Sequence, residues 1–149
     1  MSETGLEVFD TTLHKTNKWL KEIREELHLS SRREAYHILR TVLHRLRDRM
    51  TLEEVAQMSA QLPMLIRGIF FEGWDPSGKP ERVRHLDEFL QPIQEDLHQL
   101  GLTLNPRLVV QSVFKVLNRH ISRGEIEEVR TLLPHEIRKL WPEPSTAEA

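Results

Sequence analysis

Displaced by 71 residues, the sequence meets itself. Leu62-Pro63 lands on Leu133-Pro134, Val42 on Val113, Leu46 on Leu117, Glu54 on Glu125, Ile66 on Ile137 and Arg67 on Arg138. Phe70 meets Trp141, and Thr51 meets Ser122, two residues that serve equally as helix N-caps. Near the start of each half the shift is 70, pairing Trp19 with Phe89, Leu20 with Leu90, Ile23 with Ile93 and Leu27 with Leu97. The one-residue change falls between the first and second helices of each half, where an insertion costs little. Matched leucines alone would say little in a leucine-rich chain. A cap, a proline and an Ile-Arg pair matched in one register say more. Such a chain is expected to pack two copies of one supersecondary unit.

Each unit reads as four helices. Phe9, Leu13, Thr16, Leu20, Ile23 and Leu27 alternate at spacings of four and three, one face of a helix. Ser31 with Glu34 forms a capping box that opens a second helix through Ala35, Ile38, Leu39, Val42, Leu43, Leu46 and Met50. Thr51 with Glu54 opens a short third helix through Val55, Ala56 and Met58. Pro63 opens a fourth, with Met64, Leu65, Ile66, Ile69 and Phe70. After the turn formers between Gly73 and Pro80, the pattern resumes at Val83, Leu86, Phe89, Leu90, Ile93, Leu97 and Leu100, with Gly101 as a C-terminal glycine. Pro92 inside it predicts a kink or a late start. Asn105-Pro106 starts the sixth helix (Val109, Val110, Val113, Phe114, Leu117). Ser122 with Glu125 caps the seventh (Ile126, Val129, Leu132), and Pro134 opens a last short one (Ile137, Leu140, Trp141). The expected fold is all-α without a sheet: two tandem, related four-helix units, each long-long-short-short, packed as one helical body. The expected bounds are an N-terminal arm at 1–8, unit one at 9–72, a Gly/Pro linker at 73–80, unit two at 81–141 and a disordered tail at 142–149.

Composition removes several classes of function. The 149 residues carry a formal net charge of -2 and no cysteine, so a thiolate zinc site, a disulfide framework and a cysteine nucleophile are out. Near-neutral charge argues against a dedicated nucleic-acid protein. The polar, acidic start lacks the pattern of a signal peptide, and no apolar run approaches the roughly 20 residues of a membrane span. The expectation is a cytoplasmic protein without membrane contact.

Some segments are specific enough to resemble a known family. They are Thr16 to Ile23 (TNKWLKEI), Leu39 to Met50 (LRTVLHRLRDRM), Ala60 to Pro76 (AQLPMLIRGIFFEGWDP) and Val113 to Pro142 (VFKVLNRHISRGEIEEVRTLLPHEIRKLWP). Together they resemble the bacterial family known as domain of unknown function 2267. The resemblance implies an all-helical bacterial domain of two related bundles and brings no assigned activity.

Four features could carry chemistry. Arg33, His37, Arg40, His44 and Arg47 fall within an arc of roughly 80° opposite the apolar face of the second helix. Such a stripe could bind an anion through charge-assisted contacts, or be a solvated face. Its counterparts in the second unit are Leu104, Leu108, Gln111, Lys115 and Asn118, so the stripe belongs to one unit only. Second, Glu-x-x-His occurs at Glu25/His28 and Glu95/His98, as in carboxylate-bridged metal bundles. Here the carboxylates lie off the apolar stripes, so no metal site is expected. Third, Phe70, Phe71 and Trp74, with Trp141, are expected to pack the two units together. Fourth, Arg49, Arg67 and Arg138 sit close to the core, where arginine pairs with a carboxylate or caps carbonyls.

No nucleophile with a base, glycine-rich phosphate loop or cofactor motif is present, so neither catalytic residues nor cofactors are expected. The sequence points to a non-enzymatic interaction or scaffold module that binds an unknown protein or itself. The alternatives are an anion- or nucleic-acid-binding module using the stripe and, remotely, a carboxylate-histidine metalloprotein.

Overall fold

In the computed structural model, residues 2–82 and 84–143 are described. They form eight helices: α1 (Glu7–Leu27), α2 (Arg32–Arg47), α3 (Leu52–Ser59), α4 (Met64–Phe71), α5 (Leu86–Gln99), α6 (Pro106–His120), α7 (Arg123–Leu132) and α8 (His135–Arg138). Among the described residues there is no strand. Val83 and the tail from 144 lie outside them. No described helix is long and apolar enough to cross a membrane.

The helix ends obey local chemistry. Ser31, Thr51 and Ser122 each accept the backbone N–H three residues on, and Asn105 accepts that of Arg107. Gly101, at φ +74°, closes α5: its N–H donates to His98, and the next N–H reaches back to Leu97. His28 takes the equivalent left-handed position after α1, at φ 53°. α5 passes through Pro92 without a break. Its unpaired carbonyl belongs to Glu88, which is exposed and can be served by water.

α2 and α6 run through the middle of the protein. Every apolar position expected inside α2 is fully buried, as are Val109, Val110, Val113, Phe114 and Leu117 of α6. The first-half helices pack as α1–α2, α1–α4 and α2–α4, and the second-half helices as α5–α6, α5–α8 and α6–α7. The halves meet through α1–α6, α2–α5, α2–α6 and α3–α7. All their buried apolar side chains join one core.

Some expected core positions lie elsewhere. α1 begins inside the expected arm, at Glu7, and its first turns overhang the core. Phe9 is 46% exposed, and Trp19, absent from the six-residue stripe, is buried instead. Ser2 and Thr4 fold back onto Asp10, which accepts from Thr4 N–H at 3.0 Å and from its hydroxyl at 2.8 Å. Met64, Leu65, Leu100, Leu132 and Ala56 are also exposed. Leu140 and Trp141 follow α8 in a turn and remain buried.

Candidate functional site

The stripe on α2 divides along its length. Arg33 is exposed and has no polar partner among the described residues, while His37 is half-buried against Tyr36. The other three face the C-terminal end of α4. Arg40 Nε donates to Glu72 Oε1 at 2.6 Å, and His44 Nε2 donates to the Ile69 carbonyl at 2.7 Å. Arg47 is 4% exposed; its Nη1 reaches the carbonyls of Phe70 (2.9 Å) and Glu72 (3.0 Å), and its Nε pairs with Asp48 (3.0 Å). A helix C-terminus carries orphan carbonyls and partial negative charge, so three cationic or N–H-bearing side chains suit it. Burial, with Arg47 and Arg40 nearby, holds the His44 imidazolium pKa below its ordinary value, leaving a neutral ring to donate to Ile69. The arc is therefore open to an anion only at its Arg33 end.

Arg67 and Arg138, 71 residues apart, make matching bonds. Arg67 donates to the carbonyls of Ser59 and Leu62, and Arg138 to those of Arg130 and Leu133, each 71 positions on. Asn118, the counterpart of Arg47, donates to the Pro142 carbonyl and accepts from Trp141 Nε1 at 2.6 Å. Arg49, 3% exposed at its side chain, pairs with Glu81 at 2.6 Å and lies over the Phe89 ring. The aromatics contact neighbours along their own stretch of chain: Phe70 and Phe71 meet edge to face, Phe71 is tilted against Trp74, and Trp141 stacks on Phe114. Polar links between halves come from α1 and α6, where Arg119 bridges Glu22 and Glu26, Lys115 pairs with Glu26, and His120 pairs with Glu22. Thr41 on α2 donates to Asp96 on α5.

The Glu-x-x-His residues do not converge. Glu25 and His28, like Glu95 and His98, are exposed. Among the described residues, the one cluster of three ligand-bearing side chains is Glu54, Glu125 and Glu128, whose carboxylate oxygens lie within 4.8 Å of one another. Glu54 and Glu125 are 7% exposed, at the α3–α7 contact. In a capping box these carboxylates would return to the N-cap N–H. Neither makes that bond: Glu54 Oε1 and Glu125 Oε2 are buried with no partner outside the pair, and the Ser122 N–H goes to Gln61 Oε1 instead. Burial, then the shared hydrogen bond with Glu54, then the charges of Glu54 and Glu128, push the Glu125 carboxyl up to about 8.

A groove of about 840 Å³ opens beside the overhanging turns of α1. One wall is Glu7 to Lys18 of α1, the other is the α3–α4 corner from Ala60 to Met64 with Arg67, and Trp19 and His120 form the floor. Leu65 N–H donates to Thr12, fastening the walls together at one end. Val8 and Met64, about half exposed, face the opening with Lys15 and Lys18. Trp19 and His120 stack at 4.8 Å. The second half lacks this feature, because α5 starts at Leu86, the counterpart of Thr16 in α1. Sequence reasoning missed the groove; the signal was Val8 and Phe9 placed two turns ahead of the first residue with a counterpart.

The fold and these sites define an all-helical protein in which Arg47, Arg67 and Arg138 fasten helix ends, with a groove and a carboxyl cluster besides. Residues 16–140 match the family model of domain of unknown function 2267, described as an uncharacterized conserved protein, and the chain belongs to that family. No curated protein matches the chain.

Proposed function

We propose that the chain is a non-enzymatic interaction module that takes an acidic segment with apolar anchors, from a partner protein, into the groove along α1. The observation carrying this reading is the groove itself. It joins exposed Val8 and Met64 to Lys15, Lys18 and Arg67, against a single carboxylate at Glu7. Apolar side chains uncovered beside a cationic rim suit a segment that buries its own apolar side chains and pairs its carboxylates at the edge. The reading treats the two halves as copies of one four-helix unit, of which only the first has gained an overhanging helix start. The matched carbonyl contacts of Arg67 and Arg138 support that view.

Selection from a displayed random-peptide library on the full chain tests the proposal. Enriched peptides should be acidic with spaced large apolar residues. They should change Trp19 fluorescence on binding, and should lose at least tenfold in affinity to Lys15→Glu/Lys18→Glu and to Met64→Asp. Failure to enrich any peptide, or enrichment of peptides indifferent to these variants, overturns it.

A further inference from the structure

We propose that Glu54, Glu125 and Glu128 form a binding site for one hard divalent cation, of the Ca²⁺ and Mn²⁺ class, between α3 and α7. This goes beyond the groove reading and is independent of it. Three observations carry it. First, the three carboxylates come from two helices and present oxygens within 4.8 Å of one another. Oxygens this close can all reach one ion, since opposite ligands at the Ca²⁺ bond length of about 2.4 Å stand about 4.8 Å apart. Second, Glu54 Oε1 and Glu125 Oε2 are buried, on side chains only 7% exposed, and have no partner outside the pair. Two buried carboxyls with no partner beyond each other are costly to ionise, and one ion in place of the shared proton would satisfy both. Third, no cationic side chain among the described residues pairs with any of the three, whereas Glu22, Glu26, Asp48 and Glu81 each have one.

The donor set fits the ion class. It is all oxygen, without histidine or thiolate, which favours Ca²⁺ and Mn²⁺ over zinc or copper. Glu54 and Glu125 are the third residues of their helices, so both carboxylates stand at positive helix ends. Three carboxylates and a divalent ion leave one negative charge, close to what two helix N-termini of about +0.5 each offset. Glu128 lies nearly one turn beyond Glu125 and is exposed, which gives an entry path and room for water ligands.

The test uses the full chain after chelator treatment and removal of the chelator. Melting is followed with Ca²⁺ alone and with Mn²⁺ alone, up to 2 mM. A concentration ten times Kd should raise Tm by about 3–6 °C, and Mn²⁺ should show a bound fraction in its EPR spectrum. Glu128→Gln should leave the metal-free Tm within about 1 °C and abolish most of the shift, as should Glu54→Gln/Glu125→Gln. Absence of a shift and of bound Mn²⁺ in the native protein overturns the proposal. So does a shift of equal size in Glu128→Gln and in the double variant.

Discussion

Arg33 and Arg47 lie on the same arc of α2, four turns apart, and the structure gives them opposite roles. Replacing Arg47 by Met keeps most of the apolar stem and removes the guanidinium. Three bonds go with it: the pair with Asp48 at 3.0 Å, and donations to the carbonyls of Phe70 at 2.9 Å and Glu72 at 3.0 Å. Asp48 is 8% exposed, so it would stay buried without a partner. Breaking a buried ion pair on one side costs about 3–5 kcal/mol. Each charge-assisted bond to a carbonyl is worth about 1.5–3 kcal/mol, but bonds sharing one donor group do not add. The expected loss is therefore about 3–5 kcal/mol, or roughly 6–20 °C in Tm for a chain of this length. Urea titration followed by circular dichroism measures the loss, and Arg33→Gln, at an exposed and unpaired position, is the control. It should change stability by less than about 0.5 kcal/mol. A loss below about 1 kcal/mol for Arg47→Met, or an equal loss at Arg33, would refute the view that the lower stripe fastens α4.

Three further outcomes follow from particular contacts. Asn118→Leu removes both the acceptor of Trp141 Nε1 and the donor to Pro142, so it should cost about 1–3 kcal/mol and shift Trp141 emission in a fluorescence melt. His28→Gly should stabilise by up to about 1 kcal/mol in denaturant titration, because His28 holds φ 53° where glycine carries no Cβ penalty. With chelator present, stability should fall as pH rises. The Glu125 carboxyl stands near 8 in the fold against an ordinary value of 4.5, so between these the folded state holds the extra proton. The penalty is absent below about pH 4.5, complete above about pH 8, and of the order of a few kcal/mol. Glu125→Gln should flatten the dependence of Tm on pH over that window.

The helices were legible because their signals are local. Ser31, Thr51, Asn105 and Ser122 act as N-caps where the sequence places them, and Gly101 ends α5 with the conformation a terminal glycine supplies. What the sequence could not show depends on neighbours. A helical wheel assigns α2 one inside and one outside, yet α2 touches α1, α4, α5 and α6, so Arg47 on the "outside" is buried under the end of α4. The Ser/Thr-x-x-Glu pattern does not say whether its glutamate turns back to the cap or across to another helix. In Ser31/Glu34 the carboxylate turns back, to the Ser30 N–H; in Thr51/Glu54 and Ser122/Glu125 the two carboxylates meet. The periodicity at Phe9 and Leu13 continues past the point where α1 has anything to pack against, which is why Phe9 reads as core and stands in solvent.

Where α3 touches α7, each helix contributes its third residue, so a glutamate at that place in both halves necessarily faces a glutamate. Away from that contact, equivalent positions meet different surroundings and need not match: Arg47 becomes Asn118, and each still fastens the end of its own half. A carboxamide on either side of the α3–α7 contact would fit the same space, donate to the opposing oxygen and remove the charge repulsion. Packing therefore does not require two carboxyls there. The cation proposed above, which needs both carboxyls and has Glu128 at its open side, would supply a reason for keeping the pair.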